Sequence, residues 1–271
     1  MESWVDGQPA DVLSLKDRGL AYGDGLFETI AVRNGTPVLL ERHLQRLETG
    51  CRRLALRVDW GTLRAELDSY ARSLGNGVLK LIVTRGDSLR GYAADPSTEA
   101  RRILQGGAPA AYPAAHAEHG VSLFPCSVRL SEQPLLAGLK HLNRLEQVLA
   151  RAEWTGAQYA EGLMLDTSGR VVEGVFSNLF LVRDGVLITA DLSRCGVAGV
   201  MRAELLFQAE SHGIATRITD ISPEQLHQAD EVLVCNSVYG VWPVLSCGSA
   251  RWSVGPLTRK LQTLARALLD V

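Results

Sequence analysis

The chain has 271 residues, 46% of them hydrophobic and 21% charged, enough to bury the core of one large domain or of two medium ones. With 28 basic against 30 acidic residues, a net charge of −2 and no basic tail, it lacks the electrostatic footprint of a nucleic-acid binder. No apolar run approaches the length of a membrane span, and no basic region followed by an apolar stretch opens the chain, so neither a membrane protein nor a secretory signal is expected.

Leu26 to Val32 and Pro37 to Leu40 read as two strands of a hairpin around Asn34-Gly35. A helix follows from about Glu41, with Leu44, Leu47, Cys51 and Leu54 on one face. A second helix covers Thr62 to Leu74 and stops at Gly75-Asn76-Gly77. Val78 to Thr84 reads as a buried strand and Arg101 to Leu104 as a short one. The Gly-, Ala- and Pro-rich stretch Gly106 to His119 has no apolar period and reads as a linker.

Beyond it, Val121 to Val128 is a strand. Asn143 to Trp154 is a helix with Leu145, Val148, Leu149 and Ala152 on one face. Strands follow at Gly162 to Asp166, Leu179 to Val182 and Val186 to Thr189, the last two joined by Asp184-Gly185. A helix runs from Val200 to His212. Ser222-Pro223-Glu224-Gln225 has the N-cap serine, first-position proline and glutamine of a capping box. Glu231 to Cys235 and Val241 to Leu245 are strands, and a last helix begins near Pro256. The order predicts an α+β protein: an N-terminal α/β domain over 1–107, a linker over 108–119 and a C-terminal domain over 120–271.

Five cysteines (Cys51, Cys126, Cys195, Cys235, Cys247) are scattered without a C-x-x-C pair, and six histidines lack ligand spacing. No disulfide framework or metal site is expected, and a reducing cytoplasm is the simplest setting. Cys235 and Cys247 sit in strand-like apolar context and read as buried small residues.

The basic residues carry a sharper signal. Only Lys16, Lys80, Lys140 and Lys260 are lysines; the rest are arginines. Arginine stays protonated, whereas a lysine that loses its proton is a nucleophile able to form an imine. Lys140 lies in the run Gly138-Leu139-Lys140-His141-Leu142-Asn143-Arg144-Leu145. Coding bias toward arginine explains its rarity equally well, so the neighbours decide. Glu173 is a carboxylate in an apolar stretch, open also to a surface-pointing reading. Gly196-Val197-Ala198-Gly199 opens a helix whose first N–H groups, at Val200 and Met201, suit a phosphate. Ser237, after a buried strand, offers a hydroxyl. An imine-forming lysine, a carboxylate for a ring nitrogen and a phosphate cup are together what pyridoxal 5'-phosphate requires.

These residues carry a resemblance to the fold-type IV pyridoxal-phosphate enzymes, the branched-chain and D-amino-acid aminotransferase-like group, and most closely to its lyases acting on 4-amino-4-deoxychorismate. It spans nearly the whole chain. It rests on Arg18 to Thr29, His43 to Leu47, Leu79 to Gly86 with Arg90-Gly91-Tyr92, Gly138 to Arg151, Glu173 with Ser177 to Phe180, Gly199 to Arg202, and Cys235 to Ser237. The resemblance implies two α/β domains with the cofactor at their interface. It implies Lys140 as the Schiff-base lysine and catalytic base, Glu173 on the pyridine nitrogen and Arg46 on the cofactor phosphate. From spacing alone Arg46 is a solvated helix-face charge. It further implies Val200, Met201 and Ser237 as phosphate contacts, and Ser177 and Asn178 as residues lining the cofactor. Arg90 and Tyr92 fall where related D-amino-acid aminotransferases hold a substrate carboxylate across a subunit boundary, implying a homodimer.

The departures point away from the transaminases. Phe27 stands where D-amino-acid aminotransferases carry tyrosine, Tyr92 where they carry histidine, and Leu145 where branched-chain aminotransferases carry tyrosine. A pocket that loses such hydrogen-bonding groups discriminates against the ligand they served. The expected reaction is cleavage of 4-amino-4-deoxychorismate to 4-aminobenzoate and pyruvate, a step of folate biosynthesis. The alternative is a D-amino-acid or branched-chain aminotransferase of the same fold type.

Overall fold

In a computed structural model that describes residues 2–88 and 91–269, the chain divides into two units. The first holds residues up to Ala110 together with Leu139–Asn143; the second holds Ala111–Gly138 and the chain from Arg144 onward.

The first unit contains β1 (Trp4–Val5), β2 (Gln8–Pro9), α1 (Arg18–Tyr22), β3 (Gly25–Arg33), β4 (Thr36–Pro37), α2 (Leu40–Leu54), α3 (Trp60–Leu74), β5 (Gly77–Thr84) and β6 (Arg101–Gly107). The β3–β4 hairpin turns at Asn34-Gly35, both with positive φ (49° and 77°). That pair of left-handed residues matches the twist of the flanking strands. The sheet runs β2-β1-β6-β5-β3-β4 and is antiparallel throughout. Alternation puts Leu26, Ile30 and Val32 of β3 with Leu79, Leu81 and Val83 of β5 into one core. Leu47 and Cys51 of α2 and Leu63, Leu67 and Tyr70 of α3 complete it at helical spacing. Leu139 joins the same core. The Phe27 N–H donates to the Lys140 carbonyl (2.9 Å) and the Leu142 N–H to the Gly25 carbonyl (3.0 Å).

The second unit contains α4 (Ala114–Glu118), β7 (Val121–Leu130), α5 (Leu145–Ala152), β8 (Tyr159–Asp166), β9 (Val171–Gly174), β10 (Asn178–Arg183) and β11 (Val186–Ala190). It continues with α6 (Val200–Ser211), β12 (Thr216–Thr219), α7 (Pro223–His227), β13 (Glu231–Asn236), β14 (Gly240–Cys247), β15 (Ala250–Arg251) and α8 (Pro256–Leu269). The sheet order is β12-β11-β10-β13-β14-β7-β8-β9, and β9 also pairs with β10. Strands β10, β13, β14, β7, β8 and β9 therefore close on themselves, which removes free edges from that ring. Asp184-Gly185 makes the β10–β11 hairpin, again with two positive φ angles (51° and 75°). Ser222 forms the full capping box with Gln225.

Several sequence expectations differ from the structure; the strand expected over Pro37 to Leu40 is confined to Thr36–Pro37, and Leu40 already opens α2. The division does not follow a single linker. Within 108–119, α4 forms, and Tyr112 and His116 pack edge-on against Trp242, because the stretch has aromatic anchors that a periodicity reading overlooks. Residues Leu139–Asn143, expected in the C-terminal domain, pack with the first unit, held by the strand-like bonds to β3. Finally, α5 is shorter than expected, and Leu145, Val148 and Leu149 are 75%, 60% and 59% exposed, while Ala150 is buried. Spacing identifies an apolar face but not whether anything covers it.

Leu81 is fully buried between the β3–β5–β6 sheet and the helices. Leu81→Ala is expected to lower unfolding free energy by about 3 kcal/mol. A urea titration with an unchanged m-value checks this; a loss under about 1 kcal/mol would contradict so tight a core.

Candidate active site

Lys140 is half-buried, and the backbone hydrogen bond to Phe27 fixes its main chain beside β3. Its Nζ lies 4.3 Å from the centroid of the Phe27 ring. An aromatic face attracts the ammonium and offers no hydrogen-bonding group of its own. On the same strand, Glu28 points the other way, onto the face that carries Leu26 and Ile30, and is buried.

Two residues of α2, three positions apart, meet Glu28 there. Arg46 donates through Nε to Oε1 (2.8 Å) and through Nη2 to Oε2, a bidentate fork. His43, fully buried, pairs its Nδ1 with Oε2 (2.6 Å). Burial pushes the Glu28 carboxyl up, but the Arg46 charge and its hydrogen bonds, with His43, outweigh burial and hold it down at about 2. Burial dominates at His43 and lowers its pKa despite Glu28, so its imidazole is neutral and donates Nδ1–H to the carboxylate. Its Nε2 is buried and without a hydrogen-bond partner. Arg46 is thus no solvated helix charge. Glu28 and His43 carried no assigned role in the sequence. The available signal was a glutamate in phase with Leu26 and Ile30 on the inward face of a strand.

The second unit assembles another group. Glu173 is the penultimate residue of the buried strand β9 and stands opposite Asn178 of β10. Its Oε2 accepts from the Val197 N–H (2.9 Å) and the Asn178 amide (3.2 Å), and that amide also donates to the Val197 carbonyl (2.9 Å). The Gly196–Gly199 loop therefore docks on the Glu173–Asn178 pair. Two glycines make this possible. Gly196 has φ +83°, and a Cβ there would lie 2.8 Å from Leu192 and Val172; a Cβ at Gly199 would collide with the Asn178 amide oxygen. Gly199 is the N-cap of α6 and no side chain caps that end. The first N–H groups of a helix, Val200 and Met201 among them, have no intrahelical acceptor, which makes such an end an anion site. Both side chains are buried, anchoring the first turn.

Ser177, also buried, donates its hydroxyl inward to Glu161 (2.7 Å). Ser237 is half-buried in a turn after β13 that Asn236 holds by accepting from the Val238 and Tyr239 N–H groups (2.9 and 3.0 Å). Tyr92 is 87% exposed, its ring tilted against Tyr22 at 5.4 Å. Arg90 lies outside the described residues. The Cys51, Cys126, Cys195 and Cys235 thiols are each pushed up to about 12 by burial and cannot serve as thiolates. Cys247 is half-buried rather than buried. Among the described residues, no helix is long and apolar enough to cross a membrane.

The geometry has counterparts among known proteins. The family described as amino-transferase class IV matches residues 25–247. The chain is 36% identical to the aminodeoxychorismate lyase of Vibrio harveyi, over 96% of this chain and 97% of the other. It is 29% identical to a putative branched-chain-amino-acid aminotransferase of Methanocaldococcus jannaschii, over 96% and 91%. Among solved structures, 4-amino-4-deoxychorismate lyase from Pseudomonas aeruginosa superimposes with a TM-score of 0.98 at 63% identity, covering 99% of this chain and 100% of that one.

Arg46→Met leaves Glu28 buried beside a neutral imidazole. At pH 7, with no ligand added, the variant is expected to lose about 3 kcal/mol of unfolding free energy. The Glu28 contribution is complete above its ordinary 4.5 and is lost as pH falls through about 2. The gap to wild type, followed by urea titration, is therefore expected to narrow across that window. A gap of undiminished size at the acid end would refute the pairing.

Proposed function

The chain belongs to the class IV amino-transferase family, and from that membership we propose that it is a lyase converting 4-amino-4-deoxychorismate to 4-aminobenzoate and pyruvate. Likeness over nearly its full length to two lyases of that substrate carries the reading. Phe27, against Lys140 where D-amino-acid aminotransferases carry tyrosine, supports a lyase over a transaminase.

The cofactor is pyridoxal 5'-phosphate, which supplies an electron sink for the charge left when a carbon gives up its proton. The residues present fit it. Glu173, fixed by Val197 and Asn178, provides the anion for the pyridine nitrogen and favours its protonated form. The uncapped start of α6, with the Val200 and Met201 N–H groups, provides the phosphate cup, and the family likeness assigns Ser237 and Arg46 as further phosphate donors. Ser177 and Asn178 line the ring. Lys140, whose amine lies against the Phe27 ring, would hold the cofactor through that amine, the role the family likeness assigns to it. As a neutral amine, its Nζ takes the proton from the amine-bearing ring carbon. The enolpyruvyl group then leaves, the ring becomes aromatic, and the Lys140 ammonium returns a proton to the departing group, which ends as pyruvate. Arg90 and Tyr92 bind the substrate carboxylates, and Phe27 forms an apolar wall beside Lys140. The enzyme works as a cytoplasmic homodimer in folate biosynthesis.

Supplied with 4-amino-4-deoxychorismate and no keto acid, the protein is expected to release 4-aminobenzoate and pyruvate in equal amounts. Absence of 4-aminobenzoate, with amino-group transfer to a keto acid instead, would sink the lyase reading. Lys140→Ala is expected to abolish both turnover and the borohydride-sensitive visible absorbance of the bound cofactor; an unchanged spectrum would refute the anchor.

A further inference from the structure

The turn between Glu173 and Asn178 is built around a third carboxylate. Glu161, on β8, is fully buried. Its Oε1 accepts from the Gly162 and Val175 N–H groups (2.8 and 2.9 Å), and its Oε2 from the Phe176 N–H (3.3 Å) and the Ser177 hydroxyl (2.7 Å). Three of these four donors belong to consecutive residues of the turn. Gly174 is tailored to the same arrangement, since a Cβ there would lie 2.8 Å from the Glu161 carboxyl carbon and collide with the Ser177 hydroxyl. The turn is closed by the Gly174 N–H donating to the Ser177 carbonyl (2.7 Å) and tied to β13 by the Asn236 amide donating to the Phe176 carbonyl (3.3 Å).

A buried carboxylate is costly, and only neutral donors answer this one, so burial prevails and pushes it up to about 7. None of the steps proposed above uses it. A glutamine or an apolar residue could fill the same space at less cost unless the arrangement of acceptors matters. What it arranges is specific: the residue before the turn is Glu173 and the residue after it is Asn178, and both must reach Val197 with their side chains aligned.

We propose that Glu161 is a positioning residue for the cofactor: by holding the Val175–Ser177 backbone and the Ser177 hydroxyl, it sets the line on which Glu173 and Asn178 meet the pyridine ring. This rests on the cofactor roles proposed above for Glu173, Ser177 and Asn178. It acts through those residues and does not touch the cofactor itself. Gln at this position keeps an acceptor for Gly162 and Val175 and turns its amide toward the Ser177 oxygen. Ala leaves the Phe176 N–H without its acceptor and the Val175 N–H with the longer bond to the Gly162 carbonyl (3.2 Å) in place of the carboxylate.

The test compares cofactor affinity and absorbance in wild type, Glu161→Gln and Glu161→Ala. Pyridoxal 5'-phosphate is titrated into cofactor-free protein, following tryptophan fluorescence and the visible band, with the thermal midpoint measured alongside. Glu161→Ala is expected to bind at least about tenfold more weakly and to shift the visible band, with Glu161→Gln restoring both. A lowered thermal midpoint with wild-type affinity and band in Glu161→Ala would make the residue merely structural and overturn the proposal. So would a Gln variant no better than Ala. Should Ala not yield folded protein, Glu161→Asp decides: its shorter arm cannot span the three turn donors, so weakened affinity supports the proposal and unchanged affinity overturns it. None of these readouts depends on the substrate. Failure of the lyase assay and failure of this assignment are thus distinguishable, and a wild type that binds no cofactor would count against the site as a whole.

Discussion

A carboxylate taken out of water must be answered by donors from the protein, and three buried glutamates of this chain are answered in three different ways. Glu28 is answered by charge, in the Arg46 fork, and is driven down to about 2. Glu161 is answered by neutral donors and rises to about 7. Glu173 is answered by a backbone N–H and an amide that come from two different segments. Each glutamate sits on a strand, and each gathers chain that is distant in sequence. The desolvation cost makes these arrangements all-or-nothing: a half-satisfied buried carboxylate is worse than none.

The closed strand ring of the second unit is what allows β9 to be only four residues long and still hold Glu173 rigidly. It pairs with β8 on one side and β10 on the other. The connection to β10 is then so short that one carboxylate beneath it can dictate its shape. The glycines at 174, 196 and 199 each stand where a side chain would strike another part of the same assembly. Their role is clearance for atoms that must approach, more than flexibility.

Local structure was legible because its causes are local. Asn34-Gly35 and Asp184-Gly185 make their hairpins through positive φ at adjacent residues, and Ser222 with Gln225 caps α7 within a span of four residues. Alternation and helical spacing placed Leu26, Ile30, Leu47 and Cys51 in the core. The same spacing rule put Leu145, Val148 and Leu149 on one face of α5, and that face is exposed, because periodicity describes one helix and burial depends on what lies against it. Arg46 shows the limit most clearly: on the helix it is one more basic residue, and its partner Glu28 lies 18 positions away.

By itself, then, the sequence determined the turns, the caps, the periodic faces and the set of chemical groups: a rare lysine, an isolated glutamate, a glycine-bounded helix start. Those follow from bonds and sterics reaching only a few residues along the chain. The tertiary structure decided which groups meet. It brought His43 and Arg46 to Glu28, attached the Lys140 segment to β3, joined Val197 to Glu173 and Asn178, and slid Glu161 beneath the turn. Such pairings rest on through-space electrostatics in a buried setting, where strength depends on a few tenths of an ångström and on exclusion of water, and neither is written in the spacing of residues.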